Sequence, residues 1–220
     1  DLNNVLSGIV TYPELLLMDL PKESPMAKSL EIIQAAGIRA AEIVQDLLTL
    51  SRRGVMTRKV VNLNEIIDQF LKTPEHEKIL SFHPHVSVET TLSASLPFLK
   101  GSAVHLQKTI MNLISNAAEA QPDGGTIRIS TANRHLDKPV RGYDRVHPGD
   151  YVVLSVEDQG IGISPEDIKR IFEPFFTKKV MGRSGTGLGM AVVWGTVQDH
   201  DAYIDVVSGK DSGTRFDLYF

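Results

Sequence analysis

The hydrophobic pattern of the chain changes near residue 55, and this change constrains the fold more than any other feature. Before it, apolar residues recur every three or four positions, which is the spacing of an amphipathic helix. After it, stretches in which apolar and polar residues alternate predict β-strands between helices. The sequence therefore predicts a helical domain over residues 1–54 and an α+β domain over residues 60–220.

Two helices are predicted in the first domain, separated by a turn at DLPKESP. Pro13 predicts a kink in the first helix, because proline removes a backbone hydrogen bond and crowds the preceding turn. The second helix has a heptad-like seam, extends to about Arg53 and would be about 40 Å long. The apolar residues of the two stripes are Leu2, Val5, Leu6, Ile9, Leu16, Leu17 and Leu20, and Met26, Leu30, Ile33, Gly37, Ala40, Val44 and Leu47.

These apolar stripes are too broad for one partner helix to cover. Dimerisation of the helical hairpin into a four-helix bundle would bury them, and we expect a homodimer of this kind. The alternative is a monomer in which the hairpin packs against its own downstream domain.

The second domain is predicted to be an α/β sandwich, with one mixed sheet and helices on one face. Strands are predicted at HVSVETTL, LPFLKG, TIRISTA, YVVLSVED, AYIDVVS and GTRFDLYF, after a short strand near residue 60. One helix is predicted to be capped by Asn62 or Asn64, and another to run from Ser102 to about Ala120. Two more are predicted at SPEDIKRIF and GLGMAVVWGTVQDH, and residues 133–149 are predicted to form a surface loop.

Composition excludes several classes of function. The net charge of −4 gives no basic surface for nucleic acid, so a nucleic-acid partner is not expected. The chain has no cysteine, which excludes disulfides and thiolate metal sites and is compatible with the cytoplasm. No apolar run approaches the roughly 18 residues of a transmembrane helix, so no membrane segment is expected in this stretch of sequence.

Two motifs in the second domain carry polar side chains suited to ligand binding. In NLISNAAEA, Asn112 and Asn116 lie four residues apart and share a helix face, where amide oxygens can ligate a hard cation or orient its waters. In DQGIGI, Asp158 follows a strand and can accept a hydrogen bond from an exocyclic amine, while Gly160 and Gly162 allow a flat ring close to the backbone. Taken alone, each also fits an ordinary structural role, as solvated or capping asparagines or as an Asx turn.

Two further motifs lie side by side. GRSGTGLGMAVV leads into a helix whose first N–H groups would attract phosphate, although it lacks the Lys-Ser or Lys-Thr pair of a P-loop. IFEPFFTKK places Phe172, Phe175 and Phe176 beside a basic segment. We interpret that basic segment, which carries Lys178, Lys179 and Arg183, as a lid that is anchored by the aromatic side chains and closes over an anion. The alternative is a core aromatic cluster followed by a solvated loop.

In their order and spacing, the four motifs resemble those of the histidine-kinase catalytic domain. Its Bergerat-type ATP-binding fold is shared with DNA gyrase, mismatch-repair ATPases and related chaperones, and the resemblance covers residues 60–220. It implies ATP and Mg²⁺ as cofactors, with Asn116 as the Mg²⁺ ligand and Asn112 as a supporting catalytic residue. It also implies that Asp158 accepts from the adenine amino group. The other positions that the resemblance assigns to the nucleotide are Gly160, Gly162, Lys179, Gly185, Thr186, Gly187, Leu188, Gly189 and Thr214.

The opening DLNN resembles the phosphoacceptor helix of the same family, in which the pattern is His-Asp/Glu-x-x-Asn/Thr. Asp1 matches the acid that orients the histidine, and Asn4 matches the residue that aligns a water for phosphatase action. Val5 stands where many relatives have proline, as in an HDLNN-like subgroup. The resemblance implies a sensor histidine kinase of a two-component system. Its acceptor would be a histidine immediately upstream of Asp1, and its partner a response-regulator aspartate.

One departure and two alternatives accompany this prediction. Glu119 stands where many sensor kinases have Lys or Arg, so a basic contact to phosphate must come from elsewhere. A gyrase-like ATPase would carry a glutamate as general base at the position of Asn112, and an amide cannot remove a proton from water. A non-catalytic scaffold that dimerises and binds ATP only as a conformational ligand is the second alternative.

Overall fold

A computed structural model describes residues 2–21, 24–51, 58–178 and 186–220. The chain divides into two compact units, Asp1–Ser51 and Arg52–Phe220, and each is described by itself. None of the helices among the described residues combines the length and the apolar character of a membrane span.

The first unit contains α1 (Leu2–Asp19) and α2 (Pro25–Ser51), and the two helices pack against each other. Gly37 permits close approach, because a Cβ there would lie 2.9 Å from Cγ2 of Ile9. α1 continues through Pro13, so the kink stays a prediction, and the predicted end of α2 at Arg53 lies outside the described residues. Several large apolar side chains remain exposed on this unit: Ile9, Tyr12, Leu15, Leu16, Met18, Met26, Ile32 and Ile33.

The second unit alternates strands with helices. The helices are α3 (Leu63–Phe70), α4 (Pro74–Phe82), α5 (Ala103–Glu119), α6 (Pro165–Ile168) and α7 (Gly189–Asp199). The strands are β1 (Lys59–Asn62), β2 (Val86–Leu92), β3 (Phe98–Gly101), β4 (Gly125–Leu136), β5 (Val140–Arg141), β6 (Arg145–Val146), β7 (Gly149–Asp158), β8 (Tyr203–Ser208) and β9 (Thr214–Tyr219). Five strands form a mixed sheet in the order β2-β4-β7-β9-β8, in which only β2 and β4 are parallel.

The core lies between one face of this sheet and the helices, which gives the predicted α+β architecture with a mixed sheet. Apolar side chains of α3, α5 and α7 pack against alternate residues of the strands, because successive strand residues point to opposite faces. Members of this core include Phe70, Leu106, Ile110, Leu113, Ile127, Leu154, Val197 and Leu218. A small second cluster on the opposite face contains Val146, Val153 and Tyr219.

Local capping explains where two helices begin. The side chain of Asn62 accepts from the backbone N–H groups of Asn64 and Glu65, so Asn62 rather than Asn64 caps α3. Ser102 precedes α5 as predicted, but its hydroxyl contacts Nδ1 of His105, 2.9 Å away, and makes no capping hydrogen bond to the backbone.

Four details of the predicted secondary structure were wrong. β3 pairs with β1 in a separate two-stranded ribbon and does not join the main sheet. The predicted loop 133–149 contains the end of β4 and the short β5–β6 hairpin. The helix predicted at SPEDIKRIF is only the four residues of α6. α4 was not predicted, although Thr73 at its N-cap and a proline at its first position are sequence signals for a helix start.

Candidate functional site

Asp158 is the last residue of β7, and its side chain is buried, with 6% of the residue exposed. Its carboxylate accepts hydrogen bonds from the backbone N–H groups of Gly160, at 2.8 Å, and Thr214. Burial raises the pKa of Asp158, and the two backbone hydrogen bonds partly oppose that shift. The result is a buried carboxylate, fixed by the backbone, that can accept a hydrogen bond from a ligand.

The glycines after Asp158 lie where the backbone is crowded. Gly162 has φ +68°, and a Cβ there would collide with the carbonyl oxygen of Gly209. A Cβ at Gly160 would collide with the carbonyl oxygen of Ala120, at the C-terminal end of α5. The N–H of Ile161 donates to that same carbonyl at 3.0 Å. The DQGIGI loop is therefore held between α5 and the turn after β8, and a side chain at either glycine would displace it.

Two residues of this region were not predicted from the sequence. Ser208 pairs with Thr214 across the β8–β9 hairpin, and their hydroxyls lie 2.9 Å apart. The Ser208 hydroxyl also accepts from the N–H of Ile163 at 2.8 Å. Gln121 is buried, donates to Ala117 O and accepts from the N–H of Gln159. The β-hairpin pattern could have indicated Ser208, since it faces Thr214, but the role of Gln121 depends on contacts between distant segments.

The glycine-rich turn lies at the N-terminus of α7 and contacts Asn112 of α5. The Asn112 side chain is largely buried, and its Nδ2 donates to the carbonyl oxygen of Gly189 at 3.0 Å. Gly187 has φ +70°, and its carbonyl accepts from the N–H of Phe175 at 2.9 Å. Leu188 is fully buried, and its N–H donates to Oγ1 of Thr186. These contacts fix the turn Thr186–Gly189 at a helix start, where free N–H groups attract anions.

Helix α5 joins the two parts of the candidate site. Asn112 contacts the glycine turn, whereas Ala120, just after the C-terminal end of α5, contacts the DQGIGI loop. Eight residues separate them, which corresponds to about 12 Å along a helix. Asn116 lies halfway between them and is half-buried. A ligand about as long as an extended nucleoside triphosphate could lie along this helix and reach both the glycine turn and the DQGIGI loop.

The roles assigned to the site residues all stay predictions, and some of these residues cannot be placed. Asp1, Lys179 and Gly185 lie outside the described residues, and Asn4 belongs to α1 but its side chain is not described. Glu119, which replaces a basic residue of many sensor kinases, accepts from the Ser115 hydroxyl at 3.3 Å. The roles of these residues stay predictions.

Comparison with protein families identifies the second unit. Residues 101–220 match the model of the histidine kinase-, DNA gyrase B- and HSP90-like ATPase family. The chain belongs to this family. The matched stretch carries all four motifs.

Curated relatives within this ATPase family are sensor kinases. The sensor kinase CckA of Brucella abortus is 31% identical over the whole chain, which corresponds to 23% of CckA. The sensor histidine kinase ZraS of Salmonella typhimurium is 26% identical over the whole chain and 43% of its own length. The chain thus spans less than half the length of either relative. The HDLNN-like subgroup is not confirmed by these relatives and stays a prediction.

Two solved structures share the fold. Full-length ShkA, determined in complex with AMPPNP, has a TM-score of 0.71 at 20% identity and covers 98% of this chain and 42% of its own. Histidine kinase ThkA, determined in complex with the response regulator TrrA, has a TM-score of 0.64 at 21% identity and covers 100% of this chain and 59% of its own. At these identities the likeness shows the fold.

Proposed function

We propose that this chain is the kinase core of a two-component sensor histidine kinase. It binds ATP with Mg²⁺, transfers the γ-phosphoryl group to a histidine directly upstream of Asp1, and passes it on to an aspartate of a response regulator. Such a core works in the cytoplasm, where ATP and response regulators are found. Residues 1–54 serve as the dimerisation and phosphotransfer domain, and residues 60–220 as the ATP-binding domain.

The observation that carries this proposal is that α5 contacts the glycine turn through Asn112 and the DQGIGI loop, which follows Asp158, through Ala120. The buried carboxylate of Asp158 suits the adenine amino group, and Thr214 and Gly160 keep that carboxylate in place. The glycine turn Thr186–Gly189 suits the phosphates, because its helix start offers N–H groups and a favourable dipole. ATP then lies along α5, with its adenine near Ala120 and its phosphates near Asn112.

The donor set also fits Mg²⁺. Among the described residues, no group of three or more His, Cys, Asp and Glu side chains could hold a metal ion. Mg²⁺ keeps several waters and binds through one or two protein oxygens together with phosphate oxygens. Asn116 would supply one such oxygen, while Asn112 remains bonded to Gly189. When bound, the ion would neutralise charge on the phosphates.

The chemistry of Asn112 favours phosphoryl transfer to protein over hydrolysis. An ATPase of the gyrase type needs a general base here to remove a proton from water. The amide of Asn112 is a donor to Gly189 O and cannot take up a proton at neutral pH. An imidazole nitrogen can instead attack the γ-phosphorus, so that an N–P bond forms, the bond to the β,γ-bridging oxygen breaks and ADP leaves. Asp1 would hold the proton on the other ring nitrogen.

The exposed apolar residues of α1 and α2 support the homodimer. Side chains such as Leu16 and Ile33 remain exposed in the single chain, and a second copy of the hairpin would bury them in a four-helix bundle. A response-regulator partner is supported by the structure of ThkA with TrrA, and we extend that partner class to this chain.

The proposal is tested by extending the chain with one histidine before Asp1 and incubating it with γ-³²P-labelled ATP and Mg²⁺. The matched control carries alanine at the added position. We expect label on the histidine version alone, and the label should be stable in base and labile in acid.

Two results would contradict the proposal and separate its alternatives. Steady phosphate release with no labelled protein would indicate a gyrase-like ATPase. Binding of ATP with neither label nor phosphate release would indicate a scaffold for which ATP is a conformational ligand.

A further inference from the structure

An aromatic side chain from the β5–β6 turn packs against the segment beside the glycine turn. The ring of Tyr143 lies edge-on to Phe172, with centroids 4.9 Å apart and an interplanar angle of 77°. It also lies edge-on to Trp194 of α7, at 5.8 Å and 76°. Phe172 and Trp194 are themselves 5.2 Å apart. Edge-to-face pairs at these separations have the favoured geometry for aromatic rings.

The β5–β6 turn is fixed to the edge strand β8. The N–H of Tyr143 donates to Oδ1 of Asp205 at 2.8 Å. Asp144 Oδ2 accepts from the N–H of Ile204 at 3.1 Å, and the N–H of Asp144 donates to the carbonyl of Ile204 at 3.2 Å. A Cβ at Gly142 would collide with the Asp205 carboxylate. Tyr143 is thus presented by a turn that cannot shift without breaking these bonds.

Both partners of Tyr143 lead to the start of α7. Phe172 belongs to a series of tight turns in which Glu173 N–H donates to Arg170 O. Three residues after Phe172, the N–H of Phe175 donates to the carbonyl oxygen of Gly187. Trp194 lies on α7 itself, five residues after Gly189. Tyr143 is therefore connected to the turn proposed to hold the phosphates by two series of contacts. One passes through Phe172 and the other through Trp194.

We propose that Tyr143 is a positioning residue for the phosphate end of the nucleotide site, acting through Phe172 and Trp194. This inference rests on the proposed function, because it concerns the same ATP site. The ring of Tyr143 pairs with Phe172 and with Trp194, both of which lead to the glycine turn. Loss of the Tyr143 ring should therefore lower the affinity for ATP through its phosphates and leave the affinity for adenosine unchanged.

Tyr151 provides a matched control. It is also half-buried, and its ring packs edge-on to Tyr203 and Tyr219, at 6.1 and 5.8 Å. These rings belong to the small cluster on the opposite face of the sheet. Tyr151→Leu therefore removes similar aromatic contacts but none of the contacts with Phe172 or α7.

The test measures affinity for Mg²⁺-ATP and for adenosine, each by NMR titration of the 220-residue chain. Tyr143→Leu should weaken ATP binding about 3- to 10-fold, the loss expected from one or two aromatic pairs, with adenosine affinity unchanged. Tyr143→Phe should retain wild-type affinity for both, since it keeps the ring. Tyr151→Leu should leave both affinities unchanged.

The outcomes separate this inference from the proposed function. Wild-type chain that binds neither ligand would overturn both. Wild-type binding with unchanged ATP affinity in Tyr143→Leu, or with an equal loss for adenosine, would overturn the inference alone. If Tyr143→Leu does not fold, Asp144→Ala loosens the same turn because it removes the acceptor of the Ile204 N–H. A selective loss of ATP affinity in that variant supports the inference, whereas unchanged affinity contradicts it.

Discussion

The two ends of the candidate site differ in how firmly the protein holds them. At the proposed adenine end, Asp158 and Thr214 are both buried, and Asp158 has two backbone hydrogen bonds. At the phosphate end, Thr186 and Gly187 are half-exposed, and Asn112 reaches the turn through one hydrogen bond to Gly189. The Asp158 end is thus buried and bonded to the backbone at two points, whereas the glycine turn is more exposed and is bonded to α5 by one side chain. Substitutions should therefore separate recognition of adenosine from recognition of its phosphates.

The largest effect is expected at the adenine end, from Asp158→Asn. It should weaken both adenosine and ATP about 10- to 100-fold, because hydrogen bonds to charged groups contribute roughly 1.5–3 kcal/mol. Calorimetric titration of both ligands measures this. Glu157→Gln is the control, since Glu157 is exposed and precedes Asp158 on the opposite face of β7.

The same residue predicts a pH dependence of binding. Because burial raises the pKa of Asp158, the carboxylate should gain its proton at a higher pH than an ordinary aspartate. Adenosine affinity should therefore fall as the pH decreases through that raised pKa, and Asp158→Asn should remove this dependence. An acid-side profile that is identical in the two proteins would contradict the role of Asp158.

The next effect concerns the constrained loop after Asp158. Gly162→Ala should lower the free energy of unfolding by about 2 kcal/mol or more. The substitution combines a positive φ with a collision against Gly209 O. Urea unfolding measures the change. Gly209→Ala is the control, because a Cβ there would meet only Ser212, at 3.6 Å. Equal stability of the two variants would show that the loop is not constrained as described.

At the phosphate end, Asn112→Ala should weaken ATP binding by roughly 3- to 10-fold and leave adenosine binding unchanged. It removes one neutral hydrogen bond to the glycine turn, which contributes about 1 kcal/mol. Parallel titrations with ATP and adenosine provide the measurement. If adenosine affinity falls as much as ATP affinity, the two ends are not separable and the comparison fails.

The smallest effect concerns the helices that carry the phosphate end. His200 accepts from the N–H of Ser102 through Nε2 at 3.0 Å and donates from Nδ1 to Thr196 O, so it is held neutral. Burial lowers its pKa below 6.5. Its contribution to stability is therefore complete above pH about 6.5 and is lost as the pH falls toward the lowered pKa.

The unfolding free energy should therefore decrease below pH about 6.5 in the wild-type chain, and less steeply in His200→Gln. His85→Gln, at an exposed position, should retain the wild-type slope. A wild-type slope in His200→Gln as well would mean that another group causes the pH dependence.

The sequence predicts those parts of the site whose geometry is local. Asp158 with its glycines, and the glycine turn before α7, have the conformations that their residue types require, including positive φ at Gly162 and Gly187. The asparagine pair follows from helical spacing. These motifs, with their order along the chain, were enough to predict the mixed α+β architecture and the catalytic-domain family.

What the sequence did not predict depends on contacts between distant segments. Gln121 bonds to the DQGIGI loop only because α5 ends beside it, and β3 pairs with β1 although its alternation fits the main sheet equally well. Tyr143 lies in a stretch predicted as loop, and its contacts with Phe172 and Trp194 depend on the β5–β6 turn being bonded to β8. Alternation and spacing carry no information about such pairings.

The central claim is that ATP lies along α5 with its adenine at Asp158 and its phosphates at the glycine turn. A crystal structure of this chain with a non-hydrolysable ATP analogue and Mg²⁺ tests it most directly. We predict the adenine amino group within hydrogen-bonding distance of the Asp158 carboxylate, about 3 Å, and the γ-phosphate beside Thr186–Gly189. A nucleotide bound in the reverse orientation, or away from α5, would contradict the account.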